Sequence, residues 1–389
     1  MTLIGHVVIV DAYSSGSLYA AELRQRGYGS IHVQSTDPIP PDDVASFIPS
    51  DHLTNIVFDG DLQRCVRAVA EYTPVCVLAG CEQAVLLADR LSEALGLATS
   101  NGTELSVTRR DKVAMQRHIA EAGLRSIPTQ VAATWEGLEA WVADHLPVVV
   151  KPTSSGGTDQ VFICASVAQA KDAFQSIIGR PNTFGEMNEQ VIVQSLLVGI
   201  EYNVDNVSYD GRHFVTEIWR VDRLRVVGDQ VPSAANLRGD HPIYDRGVML
   251  PRSGAHQDRM IPYVERVLDA IGIRFGPSHT ELMWTEEGPV LIEVAARLHG
   301  QRLQLSSELV TGLSQAKVAL DAYLAPDQFL ALAAKPYELH RELQRIELIC
   351  PGRARCAARV DSTTSVRSAR STRWSCSSNL GSPSPRPPI

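Results

Sequence analysis

Short apolar runs alternate with segments of helical period along the first hundred residues. HVVIVDA (6–12), SIHVQ (30–34), NIVFD (55–59) and VCVLAG (75–80) read as strands. Between them Leu18, Ala21 and Leu23, then Leu62, Val66 and Val69, then Leu86, Leu91 and Leu95 carry the apolar side of helices. Strand–helix alternation of this kind predicts a parallel sheet covered by helices. The loop Ser14–Ser17 follows the first strand, where such sheets bind ligands. It lacks the G-x-G-x-x-G spacing, so it reads as a plain strand–helix turn.

After residue 107 the pattern changes. TRRDKVAMQRHIAEAGL (108–124) predicts a basic helix, capped by Thr108 or Asp111 and ended at Gly123. A strand QVAAT, a helix from Trp135 to Val142 and the strand VVVK come next. VIVQSLLVGIEYNVD (191–205) reads as strand, hinge and strand. A helix from Met260 to Ile271 leads into two alternating runs, and helices follow from Ser306 to Ala333. No internal repeat is present.

The chain has 389 residues, 44% hydrophobic and 21% charged, enough apolar surface for two or three packed domains. It has no run of 18 apolar residues, so no membrane span or membrane partner is expected. The apolar start has no basic segment before it and reads as a strand, not a secretion signal. Net charge is −8, the wrong sign for a nucleic-acid binder. Seven cysteines with no C-x-x-C pair suit reduced core thiols in a cytoplasmic protein.

The last 39 residues depart from all of this. Seven Arg against one Asp give +6, which leaves −14 for residues 1–350. Lys is absent, Ser and Pro abound, and hydrophobic period is lost. Such a stretch cannot bury enough apolar surface to offset its ordering entropy. A basic interaction tail is one reading; a segment translated out of frame from a GC-rich gene is the one we favour.

Candidate chemistry concentrates in SHTELMWTEEGPVLIEVAARLHG (278–300). Glu286-Glu287-Gly288 is a turn signal between the alternating runs. With the turn centred on 287, Glu281 opposes Glu293, Leu282 opposes Ile292 and Trp284 opposes Val290. Leu282, Trp284, Val290 and Ile292 then share one apolar face, and the two glutamates share the other. Opposed Cβ atoms lie roughly 4.5–5.5 Å apart, so two carboxylates there repel unless a cation joins them. Mg²⁺, which takes carboxylate and phosphate oxygens, is the natural partner. Two solvated carboxylates on an exposed hairpin are the alternative.

Arg297, four residues on, can steady charge on a phosphate or oxyanion, or pair with one of those glutamates. Lys151 ends PVVVK and precedes Thr153-Ser154-Ser155-Gly156-Gly157-Thr158, a small-residue loop able to close over phosphates. Lys112 lies in the first turn of its helix, where anions are favoured. Glu201, just past Gly199, can accept from ribose hydroxyls. Each of these has a surface-charge reading when taken singly.

Their order is more specific than any one of them. Lys112, VVVKPTSSGG, VQSLLVGIEYNVD and HTELMW…VLIEVAARLHG together resemble the ATP-grasp superfamily over roughly residues 1–350. EYNVD, GPSHTE and LIEVAARLHG resemble the L-amino-acid ligase branch of its carboxylate–amine ligases. The resemblance implies an α/β protein, α+β in its ATP-binding part: a parallel-sheet domain (1–107) before an ATP-grasp fold. It implies a small lid subdomain (108–185), a large catalytic subdomain (186–350) and the Arg/Ser/Pro-rich tail (351–389). It also implies ATP and Mg²⁺, with Mn²⁺ as a substitute, small carboxylate and amine substrates such as amino acids, and room for a homodimer.

Carried over by position, Lys112 and Lys151 contact ATP phosphates, and Ser154, Ser155, Gly156, Gly157 and Thr158 form the lid loop. Gln194 with backbone groups of Ser195 and Leu197 forms the adenine hinge, and Glu201 holds ribose. Glu281 and Glu293 hold the metal, and Arg297 steadies an acyl phosphate. His279, Gly300, Gln301 and Arg297 are the substrate-side candidates. Two residues depart from the pattern: Gln194, where Glu is common, and Ala295, where Asn often supplies a further metal ligand. The family usually continues into more of a C-terminal lobe than is readable here. The resemblance leaves open a non-amino-acid carboxylate, bicarbonate, or nucleotide binding without turnover.

Overall fold

The computed structural model describes residues 3–156, 159–183, 185–227 and 240–346. The tail expected to lie outside the fold, and Gly157 and Thr158, are outside the described residues.

β1 (Gly5–Val10), β2 (Tyr28–Gln34), β3 (Thr54–Val57) and β4 (Pro74–Ala79) form an all-parallel sheet in the order β3-β2-β1-β4. Its connections are α1 (Leu18–Gln25), a short α2 (Pro41–Val44) and α3 (Leu62–Ala70), and α4 (Val85–Ala94) follows β4. Parallel strands are buried on both faces, hence the unbroken HVVIV run. Val8, Val10, Ile31 and Val33 pack on α3 and α4, while Val7 and Ile9 pack on α1. The first strand ends where Asp11 takes a left-handed backbone (φ 52°), short of the expected residue 12. A Cβ on Gly16 would lie 2.4 Å from the Gly80 backbone, so the loop after β1 lies directly on the end of β4.

α5 (Lys112–Glu121) starts later than expected because Asp111, not Thr108, caps it: the Asp111 carboxylate accepts from Ala114 N at 2.7 Å. Thr108 sits instead in a preceding 3₁₀ turn, its hydroxyl donating to Leu105 O. Buried Arg109 anchors this junction, donating to Asp89 and to the carbonyls of Gly102 and Ile271.

β5 (Thr129–Ala132), α6 (Leu138–His145), β6 (Val148–Pro152), β7 (Phe162–Cys164), α7 (Val167–Ile177) and β8 (Val191–Ser195) build a small lobe. α6 runs three residues later than expected because Gly137 holds the left-handed turn before it (φ 87°). β9 (Ile200–Tyr209), β10 (Arg212–Val227), β11 (Asp240–Met249), α8 (Gln257–Ala270), β12 (Gly276–Thr285) and β13 (Gly288–Ala295) build the large one. α9 (Gln304–Thr311), α10 (Gln315–Leu324), α11 (Pro326–Ala333) and β14 (Gln344–Ile346) complete the described chain. One sheet runs β13-β12-β9-β10-β11-β7-β6-β8-β5, with β14 on β11. Among the described residues no helix is long and apolar enough to cross a membrane. Cys65, Cys76, Cys81 and Cys164 are free and buried.

β9 positions the site. Tyr202 and Val204 point into the main core with Val264, Val267 and Leu268 of α8. Alternation turns Glu201, Asn203 and Asp205 to the other face, and Val207, next on that face, packs under α10. That face is therefore closed by α10 at one end and open at the other. Met115 and Ile119 of α5 share the main core, and β8 pairs with β5 and β6. The resemblance implies a lid over 108–185; we propose that β5 to β8 carry it, with α5 packed on the main core.

Candidate active site

Glu281 of β12 pairs with Glu293 of β13, as the turn spacing requires. The pairs beyond it differ from expectation. A bulge after Glu281 puts Leu282 opposite Leu291, Met283 opposite Val290 and Trp284 opposite Pro289. Leu282 and Leu291 both enter the core, while Ile292 joins Glu293 on the cavity wall. Gln116 of α5 holds the bulge, donating to Leu291 O (3.0 Å) and Ile292 O (3.3 Å). On the far side of Glu281, β9 places Asn203. Glu293, Glu281 and Asn203 thus form one row across three strands, and Ala295, His279 and Asp205 form the next.

Neither glutamate is a freely solvated carboxylate. Lys112 Nζ donates to Glu293 Oε1 and to Ser155 O, both at 2.8 Å. His279 bridges Asp205 (Nδ1 to Oδ1, 2.7 Å) and Glu281 (Nε2 to Oε1, 3.3 Å). Burial would raise the Glu281 carboxyl, but the bond and charge of His279 hold it well below the usual range. Burial pushes Lys151 down to about 8, and the charge of Lys112 adds to that.

Three cavities meet at this row. One of about 510 Å³ is lined by Lys112, Lys151, Ser155, Gly156, Gln194, Leu197, Glu201, Glu281 and Glu293, with apolar walls from Val149, Ile163, Met283 and Ile292. Its size and mixed lining suit a nucleotide. A second, about 430 Å³, is lined by Ser14, Ser15, Gly80, Glu82, His279, Glu281, Glu293, Arg297 and Gly300. A third, about 260 Å³, includes Asn203, Arg246, His279, Glu281, Arg297, His299, Gly300 and Gln301. Glu281 borders all three. The turn Ser14–Ser17 therefore does line a ligand-sized cavity, contrary to its plain-turn reading.

The remaining candidates divide. Ser154 Oγ donates to Glu186 at 2.9 Å, beside rather than in the cavity. Ser195 is not part of the wall; its N–H donates to Pro128 O, and Leu196 and Leu197 line the cavity instead. Gln194 lines it with its amide donating to Thr129 Oγ1. Glu201 is gripped through both oxygens by Arg223 at 2.5 and 2.6 Å, a partner the sequence did not reveal. Arg297 pairs with neither hairpin glutamate. Its Nε donates to buried Glu82 at 2.8 Å and its Nη1 to Leu298 O. Burial would raise the Glu82 carboxyl, but Arg297, Arg110 and Lys112 hold it below its ordinary value. After Arg297 the chain takes left-handed backbone at Gln301 (φ 56°) and Arg302 (φ 54°), fixed by Arg302 N donating to Ser15 Oγ.

Asn203, Asp205, Glu82 and His299 were not singled out in the sequence. Asn203 Oδ1 is buried without a hydrogen-bond partner among the described residues. His299 Nδ1 contacts Asp205 Oδ2 at 2.7 Å, and its ring lies 3.9 Å from that of His279. The alternation of EYNVD, which puts Asn203 and Asp205 on the face of Glu201, was the available signal.

Two lysines and two carboxylates thus line one nucleotide-sized cavity, between a small lobe and an antiparallel sheet. Residues 144–304 match the ATP-grasp domain. Dapdiamide A synthase of Enterobacter agglomerans is 35% identical over 356 residues, covering 90% of this chain and 81% of that protein. The L-amino acid ligase of Bacillus licheniformis superposes with a TM-score of 0.64 at 17% identity, over 86% of this chain and 78% of that one. The biotin carboxylase domain of Hydrogenobacter thermophilus 2-oxoglutarate carboxylase, solved with MgADP, ADP and bicarbonate, gives 0.58 at 13% identity, over 82% and 69%. The chain belongs to the ATP-grasp family of ATP-dependent carboxylate–amine ligases, enzymes that form a C–N bond.

Proposed function

We propose that this ligase joins two amino acids, or an amino acid and a related small carboxylate, through an acyl phosphate, releasing ADP and phosphate. The observation that carries this reading is the place of Glu281, which borders the nucleotide-sized cavity and both cavities reached by Arg297, with Glu293 beside it on the first two. The similarity to an amide-forming synthase and an L-amino acid ligase supports it.

The donor set fits Mg²⁺: two opposed carboxylates, with the unpartnered amide oxygen of Asn203 in the same row. Asn203 offers the amide oxygen that Ala295 lacks. Bound Mg²⁺ would neutralise phosphate charge and orient the phosphoryl group. Lys112 and Lys151 hold the phosphates, and Ser155 and Gly156 close over them. Gln194 and Leu197 border the base, and Glu201, held by Arg223, accepts from ribose. Arg297, fixed by Glu82, faces the carboxylate being activated. Substrates occupy the space around His279, Gly300 and Gln301. The same reading extends to a cytoplasmic enzyme that binds no nucleic acid and accepts Mn²⁺ for Mg²⁺; light scattering checks for a homodimer. A panel of amino-acid pairs, read by phosphate release and product mass, tests the assignment. ATP binding with no substrate-dependent release for any pair would contradict it.

A further inference from the structure

Amide formation has a second chemical requirement. When the amine attacks the acyl carbon, its nitrogen carries a surplus proton until a base removes it. The described residues offer one suitably built acceptor on the substrate side. Asp205 is fully buried and presents one carboxylate oxygen to each of two imidazoles. A carboxylate only accepts, so each Nδ1 is the donor and carries the hydrogen. In a neutral ring that leaves Nε2 as a lone pair. Burial would lower His279, but the two carboxylates it lies between raise it to about 9, so it is charged and its Nε2–H donates to Glu281. For His299 it has no hydrogen-bond partner among the described residues, and His299 borders the same cavity as Glu281 and Arg297.

The backbone of His299 is fixed as firmly as its ring. Its N–H donates to Gln315 Oε1 (3.0 Å) and its carbonyl accepts from Gln304 Nε2 (2.6 Å). The charged or titratable groups that act on it are Asp205 on β9, His279 and Glu281 on β12, and Arg297 in its own loop; Glu217 on β10 acts on Asp205 and His279 behind them. Burial, only partly offset by Asp205, holds the His299 ring down to about 4, so it is neutral and able to accept near pH 7.

We propose that His299, oriented by Asp205, is the general base of the amide-forming step. The attacking nitrogen bonds to the acyl carbon and the carbon–oxygen bond to phosphate breaks. Phosphate leaves with that electron pair, and the surplus proton passes from nitrogen to His299 Nε2. A weak base suffices, because a nitrogen already bonded to the acyl carbon is far more acidic than a free ammonium. This rests on the acyl-phosphate reading above.

Hydroxylamine separates the two halves of the reaction. It captures acyl phosphates, and its proton is acidic enough for water to take. In His299→Asn the amide Nδ2 replaces Nδ1 as donor to Asp205, while the Nε2 lone pair is removed. Amide formation with amino-acid amines should fall on the order of a hundredfold. Hydroxamate formation and ATP affinity should be retained. An equal loss of amide and hydroxamate would overturn the proposal. If the variant does not fold, the wild-type enzyme decides. A normal solvent isotope effect on capture by the amino acid but not by hydroxylamine supports the base, and no difference overturns it. If the wild-type enzyme gives no hydroxamate with any carboxylate, the acyl-phosphate reading itself fails and takes this proposal with it.

Discussion

Replacing Arg297 separates activation of the substrate from binding of ATP. Arg297 borders the 430 and 260 Å³ cavities but not the 510 Å³ one. It should therefore act on the reacting carboxylate and leave nucleotide affinity alone. Losing one preorganised charge contact to a developing oxyanion costs about 3 kcal/mol, roughly 150-fold in rate. Stability should fall as well, because Glu82 loses its 2.8 Å partner while buried. Breaking a buried pair typically costs about 3–5 kcal/mol; here Arg110, 4.0 Å from Glu82, remains, which places the loss near the lower end. Arg297→Met should show both effects in ADP-release kinetics and urea unfolding. Adding Glu82→Gln removes the stranded charge, so the double variant should regain stability but not rate. The reasoning is refuted if ATP affinity drops as steeply as kcat, or if the double variant recovers turnover.

Glu293→Gln should abolish most Mg²⁺-dependent ATP turnover with a far smaller effect on folding, measured by phosphate release and thermal melting; unchanged turnover would sink its role as a metal ligand. Lys151, held down to about 8, is partly neutral above that pH in the free enzyme, and phosphates favour its charged form. ATP binding at pH 8.5 should therefore take up a proton, seen as buffer-dependent calorimetric enthalpy, and Lys151→Met should abolish the uptake. Glu217, fully buried and beside Asp205, is pushed up from about 4.5 to about 8. Between those values the folded protein binds more protons than the unfolded chain, so stability should fall as pH rises from 5 to 8. Glu217→Gln, with Trp219 Nε1 still able to donate to it, should flatten that slope in urea titrations.

What the sequence revealed and what it hid follow from range. The parallel sheet was readable because each strand's apolar run and each helix's period are local. Glu281 and Glu293 were paired correctly because twelve residues and one turn separate them. The bulge after Glu281 was not readable, since it depends on Gln116 of a distant helix holding two carbonyls. Glu82 reaches Arg297 across 215 residues, and Arg223 reaches Glu201 from the neighbouring strand. No local period encodes such pairs. Asp205, His279 and His299 come from two strands and a loop, and only the fold makes them one group.

Oxygen transfer tests the central claim most directly. A substrate labelled with ¹⁸O in its carboxylate is turned over with ATP and an amine, and the released phosphate is analysed by mass. An acyl phosphate passes one carboxylate oxygen to phosphate when the amine displaces it, so label should appear in the phosphate in step with amide product. Amide formed with unlabelled phosphate would contradict the account.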